Sequence, residues 1–213
     1  MPSRPALVCF AVKQEAQPFR DVIAGRTRIE ILVAGIGRKN SERGLLNALQ
    51  TVTPGLVLTC GFAGGLNSDL ATGTVIFSAD ENAGLTPALL AAGARPVRFH
   101  CALNVATTAE KKKALRKTTG ADAVEMESEI IRALCREQGI PSATVRVISD
   151  AAHEDLPLDF NGLMNARQEL HYGRLALSLL RSPGKIPALL RLQRQTQAAA
   201  RNLAAVLEKI IPV

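Results

Sequence analysis

Leu56-Val57-Leu58-Thr59-Cys60-Gly61-Phe62-Ala63-Gly64-Gly65-Leu66 decides the reading of this chain. Its first four residues form a short apolar run of strand character, Leu56–Thr59, which leads directly into three glycines. Glycines at such a place let backbone approach backbone or a flat ligand, and the plainer alternative is an ordinary exit from strand to loop. Similar runs recur on both sides. Ala6–Val12, Ile29–Val33, Val75–Ser78, Leu103–Thr107 and Ala143–Ser149 read as strands, and Ser41–Val52, Glu110–Lys117 and Ser128–Gln138 read as helices. Strands alternating with helices predict a mixed, mostly parallel sheet covered by helices, with functional groups collected at the carboxyl ends of strands.

After Asp150 the pattern turns helical. The spacing predicts a loop over 151–159, a helix from Asn161 towards Leu180, a break at Ser182-Pro183-Gly184 and a second helix to about Ile211. In that last helix Leu189, Leu192, Ala199, Leu203, Val206 and Ile210 lie on one stripe. The 213 residues are read as one domain, 1–213, with a helical C-terminal cover.

Composition narrows the classes. Aromatic residues are 3% of the chain, with no Trp and one Tyr, so the stacking platforms of single-strand nucleic-acid binders are absent and the core is aliphatic. The four cysteines, Cys9, Cys60, Cys101 and Cys135, form no CxxC pair, and with three histidines they give no zinc-site spacing. They read as reduced, mostly buried thiols of a cytoplasmic protein. The apolar run Ala6–Val12 is too short to span a bilayer and reads as the first strand. Of the net charge of +7, an excess of six basic residues falls between Asn161 and Val213. Such a region either attracts an anionic membrane surface or is a solvated helix face, and Arg191, Arg194 and Arg201 are expected to be exposed.

Three strand ends carry acids. Lys13-Gln14-Glu15 follows the first strand, Glu125-Met126-Glu127-Ser128-Glu129 follows Ala123-Val124, and Val145-Arg146-Val147-Ile148-Ser149-Asp150 ends on one. Each acid alone is explained as a first-turn residue or a helix cap. Three together at the ends of different strands are where an α/β site would be built. Gly35-Ile36-Gly37-Arg38 begins like a dinucleotide loop but lacks the third glycine and a downstream acid, leaving a tight turn whose helix N-terminus can hold an anion. Ser149, Asp150 and His153 are too close in sequence for a triad.

Together, A-V-K-Q-E at 11–15, A-G-I-G at 34–37, C-G-F-A-G-G-L at 60–66, A-V-E-M-E-S at 123–128 and V-R-V-I-S-D-A-A at 145–152 resemble the nucleoside phosphorylase and nucleosidase superfamily. The resemblance implies a three-layer α/β sandwich that cleaves the N-glycosidic bond of a purine nucleoside, such as a 5′-substituted adenosine, with no metal and no organic cofactor. It implies that Asp150 protonates or hydrogen-bonds purine N7, that Glu127 holds the ribose hydroxyls with Met126 against the sugar, and that Glu15 activates water. Ala63, Gly64, Val124, Glu125 and Ser149 would line the substrate pocket. Its partners would be the nucleoside, phosphate if the reaction is phosphorolytic, and further copies of the chain, but no nucleic acid.

The chain also departs from that pattern. Where phosphorylases of the superfamily carry an Arg and a Ser, this chain has Leu58–Thr59 and Phe62, so Gly37 and Arg38 are the substitute candidates for holding phosphate. The segment between Asp80 and His100 is short, and no aromatic residue matches the purine-stacking position near Thr107–Glu110. The run from Lys112 to Ser128, Leu156-Pro157 and the basic C-terminal helices resemble the hopanoid-associated branch, thought to remove adenine from an adenosyl-lipid. That would place the protein at the inner membrane face. Hydrolysis and phosphorolysis both remain open, and the contrasting class is a nucleoside-binding or membrane-surface protein without catalysis.

Overall fold

The strand β1 (Ala6–Phe10) is buried at every position and lies between two parallel neighbours, β2 (Ile29–Val33) and β3 (Leu56–Gly65). A strand covered on both faces has no solvent side to fill, which is why Ala6-Leu7-Val8-Cys9-Phe10 is apolar throughout. The computed structural model of the protein describes residues 4–165, Leu177 and residues 182–211. On the far side of β3 runs β8 (Ser142–Asp150), parallel to it and buried along its whole length. Next comes β4 (Val75–Ala79), antiparallel to β8, with the two-residue β5 (Arg95–Pro96) parallel beyond it. The sheet order is therefore β2-β1-β3-β8-β4-β5. A short branch leaves the end of β3, where β7 (Ala123–Glu125) pairs antiparallel through Gly64 and Val124, and β6 (Phe99–Cys101) pairs with β7.

Period-two alternation divides the core. Val8 and Phe10 face one side with Leu58, Cys60, Val145 and Val147, where Ala16 and Phe19 of α1 (Lys13–Val22) and Leu89 of α3 (Thr86–Ala91) pack. Leu7, Cys9 and Val57 face the other, against Leu45 of α2 (Arg38–Leu49) and Ile130, Ile131, Leu134 and Cys135 of α5 (Ser128–Glu137). The result is the expected three-layer α/β sandwich around a mixed, mostly parallel sheet. Between β6 and β7 runs α4 (Ala109–Thr119), started by the Thr108 side chain on the Lys111 N–H and stopped by Gly120 in the left-handed conformation.

The C-terminal cover is α6 (Phe160–Leu163) and the long α7 (Ile186–Ile210). Ala199, Leu203, Val206, Leu207 and Ile210 are buried on the α1 side of the sheet, each large side chain contributing about 1.5–3 kcal/mol relative to exposure. Leu189 and Leu192, expected on the same docking stripe, are only half-buried. Arg191, Arg194 and Arg201 are exposed as expected. No described helix is long and apolar enough to cross a membrane.

Three expectations need correction. The stretch 103–107 is not a strand, because β6 occupies the place beside β7 and the Val105 backbone is bonded by the Asn161 side chain instead. The glycine segment is not a loop exit, since β3 continues through Gly65. The helix predicted from Asn161 stops at Leu163, with Met164 extended, and most of the remainder to Leu180 lies outside the described residues. All four cysteines are free, with Cys9, Cys60 and Cys135 buried and Cys101 partly so.

Candidate active site

The carboxyl ends of β1, β3 and β8 lie side by side, and a cavity of about 260 Å³ opens over them. Its described lining brings together Glu15, Ala63, Gly64, Val124, Glu125, Met126, Glu127, Ser149 and Asp150, all of which the sequence singled out. The lining includes no Lys or Arg among the described residues.

At one end of the cavity three carboxylates surround one guanidinium. Arg146 points from the middle of β8 with 1% of its side chain exposed, and its Nη2 donates to Glu125 Oε2 at 2.8 Å and Thr59 Oγ1 at 3.1 Å. The same nitrogen lies 3.2 Å from Glu127 Oε2. Burial alone would lower the Arg146 pKa, but Glu125, Glu127 and Glu15 outweigh it and hold the group charged. Glu15, in the first turn of α1, folds its carboxylate back to accept from the N–H groups of Ala11 and Val12, and its other oxygen accepts from Phe62 N–H at 2.8 Å. Burial pushes its pKa up to about 7, against the pull of Arg146 and those backbone donors. Burial also raises Glu127, again opposed by Arg146.

Gly61 makes this meeting possible. Its φ of +142° belongs to glycine, and a Cβ there would lie 2.6 Å from Glu15 Oε1 and 2.8 Å from Arg146 Nη1. Gly64, three residues on, lies at the other end, where a Cβ would meet Val124 Cγ1 at 3.2 Å and sit at ordinary contact distance, 3.5 Å, from Asp150 Oδ2.

At that end both oxygens of Asp150 are engaged. Ser149 Oγ donates to Oδ1 at 2.5 Å, and Lys112 Nζ lies 2.5 Å from Oδ2. Lys112 comes from α4 and is fully buried. Its ammonium also donates to the carbonyls of Ala151 at 2.7 Å and Glu154 at 2.8 Å. Three donors thus meet three acceptors.

Other sequence-derived assignments are changed by their surroundings. Gly37 N–H, a candidate phosphate donor, gives its hydrogen bond to Glu127 Oε1 at 2.9 Å, so the anion at that helix N-terminus is the protein's own carboxylate. Arg38 is half-exposed, lies 3.5 Å from the equally exposed Glu129 and is not among the described residues that line the cavity. The Glu125 carboxylate accepts from Arg146, Ser128 Oγ and the N–H groups of Glu127 and Ser128, which fixes the start of α5 rather than leaving oxygens free for a ligand.

Arg146 and Lys112 are two buried cations of the site to which the sequence alone assigns no role. The usable signal was a lone charge inside an otherwise buried strand for Arg146. Lys112 had none beyond its place in the quoted run, among three consecutive lysines. Phe160, Met164, Leu156, Leu192 and Thr196 also line the cavity from the C-terminal segment. Phe62 and Phe160 are the aromatic residues of the described lining, and neither lies near Thr107–Glu110 in sequence.

The sequence profile of the "Phosphorylase superfamily" matches residues 95–181. A 5′-methylthioadenosine/S-adenosylhomocysteine nucleosidase of an Exiguobacterium species is 27% identical over 177 residues, covering 67% of this chain and 76% of that protein. The Helicobacter pylori 5′-methylthioadenosine/S-adenosylhomocysteine nucleosidase, solved with butyl-thio-DADMe-Immucillin-A, superposes with a TM-score of 0.73 at 15% identity over 99% of both chains. Futalosine hydrolase of Helicobacter pylori superposes with a TM-score of 0.68 at 16% identity, over 96% of this chain and 97% of that one. The chain resembles the nucleoside phosphorylase and nucleosidase superfamily in sequence and shares its fold.

Proposed function

We propose that this chain hydrolyses the N-glycosidic bond of a purine nucleoside, a 5′-substituted adenosine, and releases the base. The observation that carries the reading is Glu15, a buried carboxyl with a pKa near 7 facing the cavity alongside Glu127 and Asp150. A base with that pKa is matched to removing a proton from water at neutral pH. The glycosidic bond breaks with its electron pair going to the base, whose N7 takes a proton from the Asp150 side. Glu127 holds the ribose hydroxyls as the sugar becomes cationic, and the water that joins C1′ gives its proton to Glu15. A described lining with four carboxylates and no cation suits neutral water better than a phosphate dianion. The relatives named above include nucleosidases, and the apolar wall of Leu156, Phe160, Met164 and Leu192 suits an apolar 5′ group.

The test is to incubate the protein with several 5′-substituted adenosines, with and without phosphate, and to assay free adenine and the sugar product. Free ribose sugar and no dependence on phosphate are expected, with activity declining below about pH 7 as Glu15 takes up its proton. Glu15→Ala is expected to reduce turnover at least about 100-fold and to remove that acidic limb. A sugar 1-phosphate as the main product would overturn the hydrolytic reading.

Glu127→Gln is expected to lower kcat/KM by about ten- to a hundredfold, since hydrogen bonds to charged groups are worth about 1.5–3 kcal/mol and this one strengthens as the sugar becomes cationic. Steady-state kinetics check it, and a loss of less than about fivefold would remove Glu127 from the ribose role.

A further inference from the structure

We propose that Lys112 is the positioning residue of the acid: it holds the Asp150 carboxyl in place and supplies, through it, the proton that the departing base takes. The inference rests on the proposed cleavage of a nucleoside and adds a residue to it. Four observations carry it. The ammonium is fully buried and 2.5 Å from Asp150 Oδ2. Its two remaining donors are fixed on the carbonyls of Ala151 and Glu154, so its third proton is aimed at the carboxylate and at nothing else. The turn that supplies those carbonyls is itself closed by Glu154, whose carboxylate accepts from Ala151 N–H at 2.8 Å. Finally, Asp150 lines the cavity whereas Lys112 does not, so Lys112 acts on a ligand only through Asp150.

The chemistry follows from the pairing. An Asp150 carboxylate facing an ammonium has no proton of its own to give. As the C1′–N9 bond breaks and its electron pair moves onto the base, Asp150 passes a proton to N7 and takes one from Lys112 Nζ. Lys112 is left as a neutral amine that still donates to both carbonyls, and it recovers its proton after the base leaves. Once that proton has gone to N7 the departing base is neutral, and the pair is an Asp150 carboxylate beside a neutral amine, one negative charge that the cationic sugar balances until Lys112 regains its proton. Ser149 Oγ keeps the other oxygen, Oδ1, oriented throughout.

The experiment compares two substrates that differ only in how much help the leaving group needs. A 5′-substituted adenosine needs a proton on N7, whereas the 4-nitrophenyl riboside with the same 5′ substituent releases a stable phenolate without one. In Lys112→Met and Lys112→Gln, kcat on the adenosine is expected to fall about 100-fold with little change in KM, while the rate on the nitrophenyl riboside changes less than about threefold. Retained activity on the second substrate also certifies that the variants are folded. In an Asp150→Asn background, adding Lys112→Gln is expected to lower the rate on the adenosine no further, because the two residues act as one unit. Equal losses on both substrates in both variants would make Lys112 a merely structural residue, and unchanged rates on the adenosine would remove it altogether. A wild-type protein inert towards both substrates would overturn the nucleosidase reading itself, and this inference with it.

Discussion

Asp150→Asn is expected to release base from a purine nucleoside about 10²–10⁴-fold more slowly than the parent protein, the range that general acid catalysis supplies. An amide cannot pass a proton to N7, and it breaks the path from Lys112 as well. The same substitution removes the negative member of a buried pair, and Lys112 Nζ keeps only neutral acceptors, the carbonyls of Ala151 and Glu154 with the new amide oxygen. The variant is therefore expected to melt earlier as well as to turn over more slowly. Activity has to be measured below that melting point and expressed per folded molecule. A rate within about fivefold of the parent, so normalised, would show that Asp150 is not the acid.

The largest effect on stability is expected at Arg146→Met. Among the described residues the guanidinium is the one cation paired with Glu125 and Glu127, it acts on Glu15, and it is buried. Breaking a buried ion pair on one side costs about 3–5 kcal/mol. For a chain of this length that corresponds to a fall in Tm of about 6–20 °C in a thermal melt. The sign of the pH dependence is fixed by the carboxyls left behind. Arg146 lowers the pKa of Glu15 and Glu127, so without it their folded-state values rise further above those of the unfolded chain. The folded variant then binds protons more tightly than the unfolded one, and its stability recovers as pH falls from 8 towards 5. A Tm difference from the parent that is small at pH 8, or that widens in acid, would contradict the arrangement.

Much of this was readable before any coordinates, for a definite reason. A continuous apolar run such as Ala6–Phe10, or Val145–Ile148 with its single Arg146, reads as a buried strand, and parallel strands need a long crossover between them, usually a helix. Acids at strand ends then mark a rim, and the superfamily resemblance supplied their roles. What stayed illegible depends on distance through space. Lys112 is one of three consecutive lysines, and nothing in Lys111-Lys112-Lys113 says that the middle one is inside. Its partners are Asp150 and two carbonyls about forty residues away. The stretch 103–107 has strand-like composition, but a strand needs a neighbour with free hydrogen bonds, and β6 had already taken it. The Gly35–Gly37 turn was correctly read as a place for an anion, yet sequence could not say that the anion would be Glu127.

The two glycines Gly61 and Gly64 stand about 10 Å apart along β3 at 3.3 Å per residue, and each marks one charge cluster. Beside Gly61 the carboxylates of Glu15, Glu125 and Glu127 outnumber the single cation, and beside Gly64 the ammonium of Lys112 stands behind Asp150. With these groups charged, the cavity floor would carry an electric field directed from the lysine end to the glutamate end. A glycosidic bond laid along it, sugar towards the glutamates and base towards Asp150, would separate charge in the direction the field already favours. The chain's overall charge of +7 gives no hint of this, because the groups that set the field face inward while the excess of arginines and lysines lies elsewhere. A bond placed the other way round would be held to its ground state by the same residues, so the polarity of the floor selects an orientation as well as a reaction.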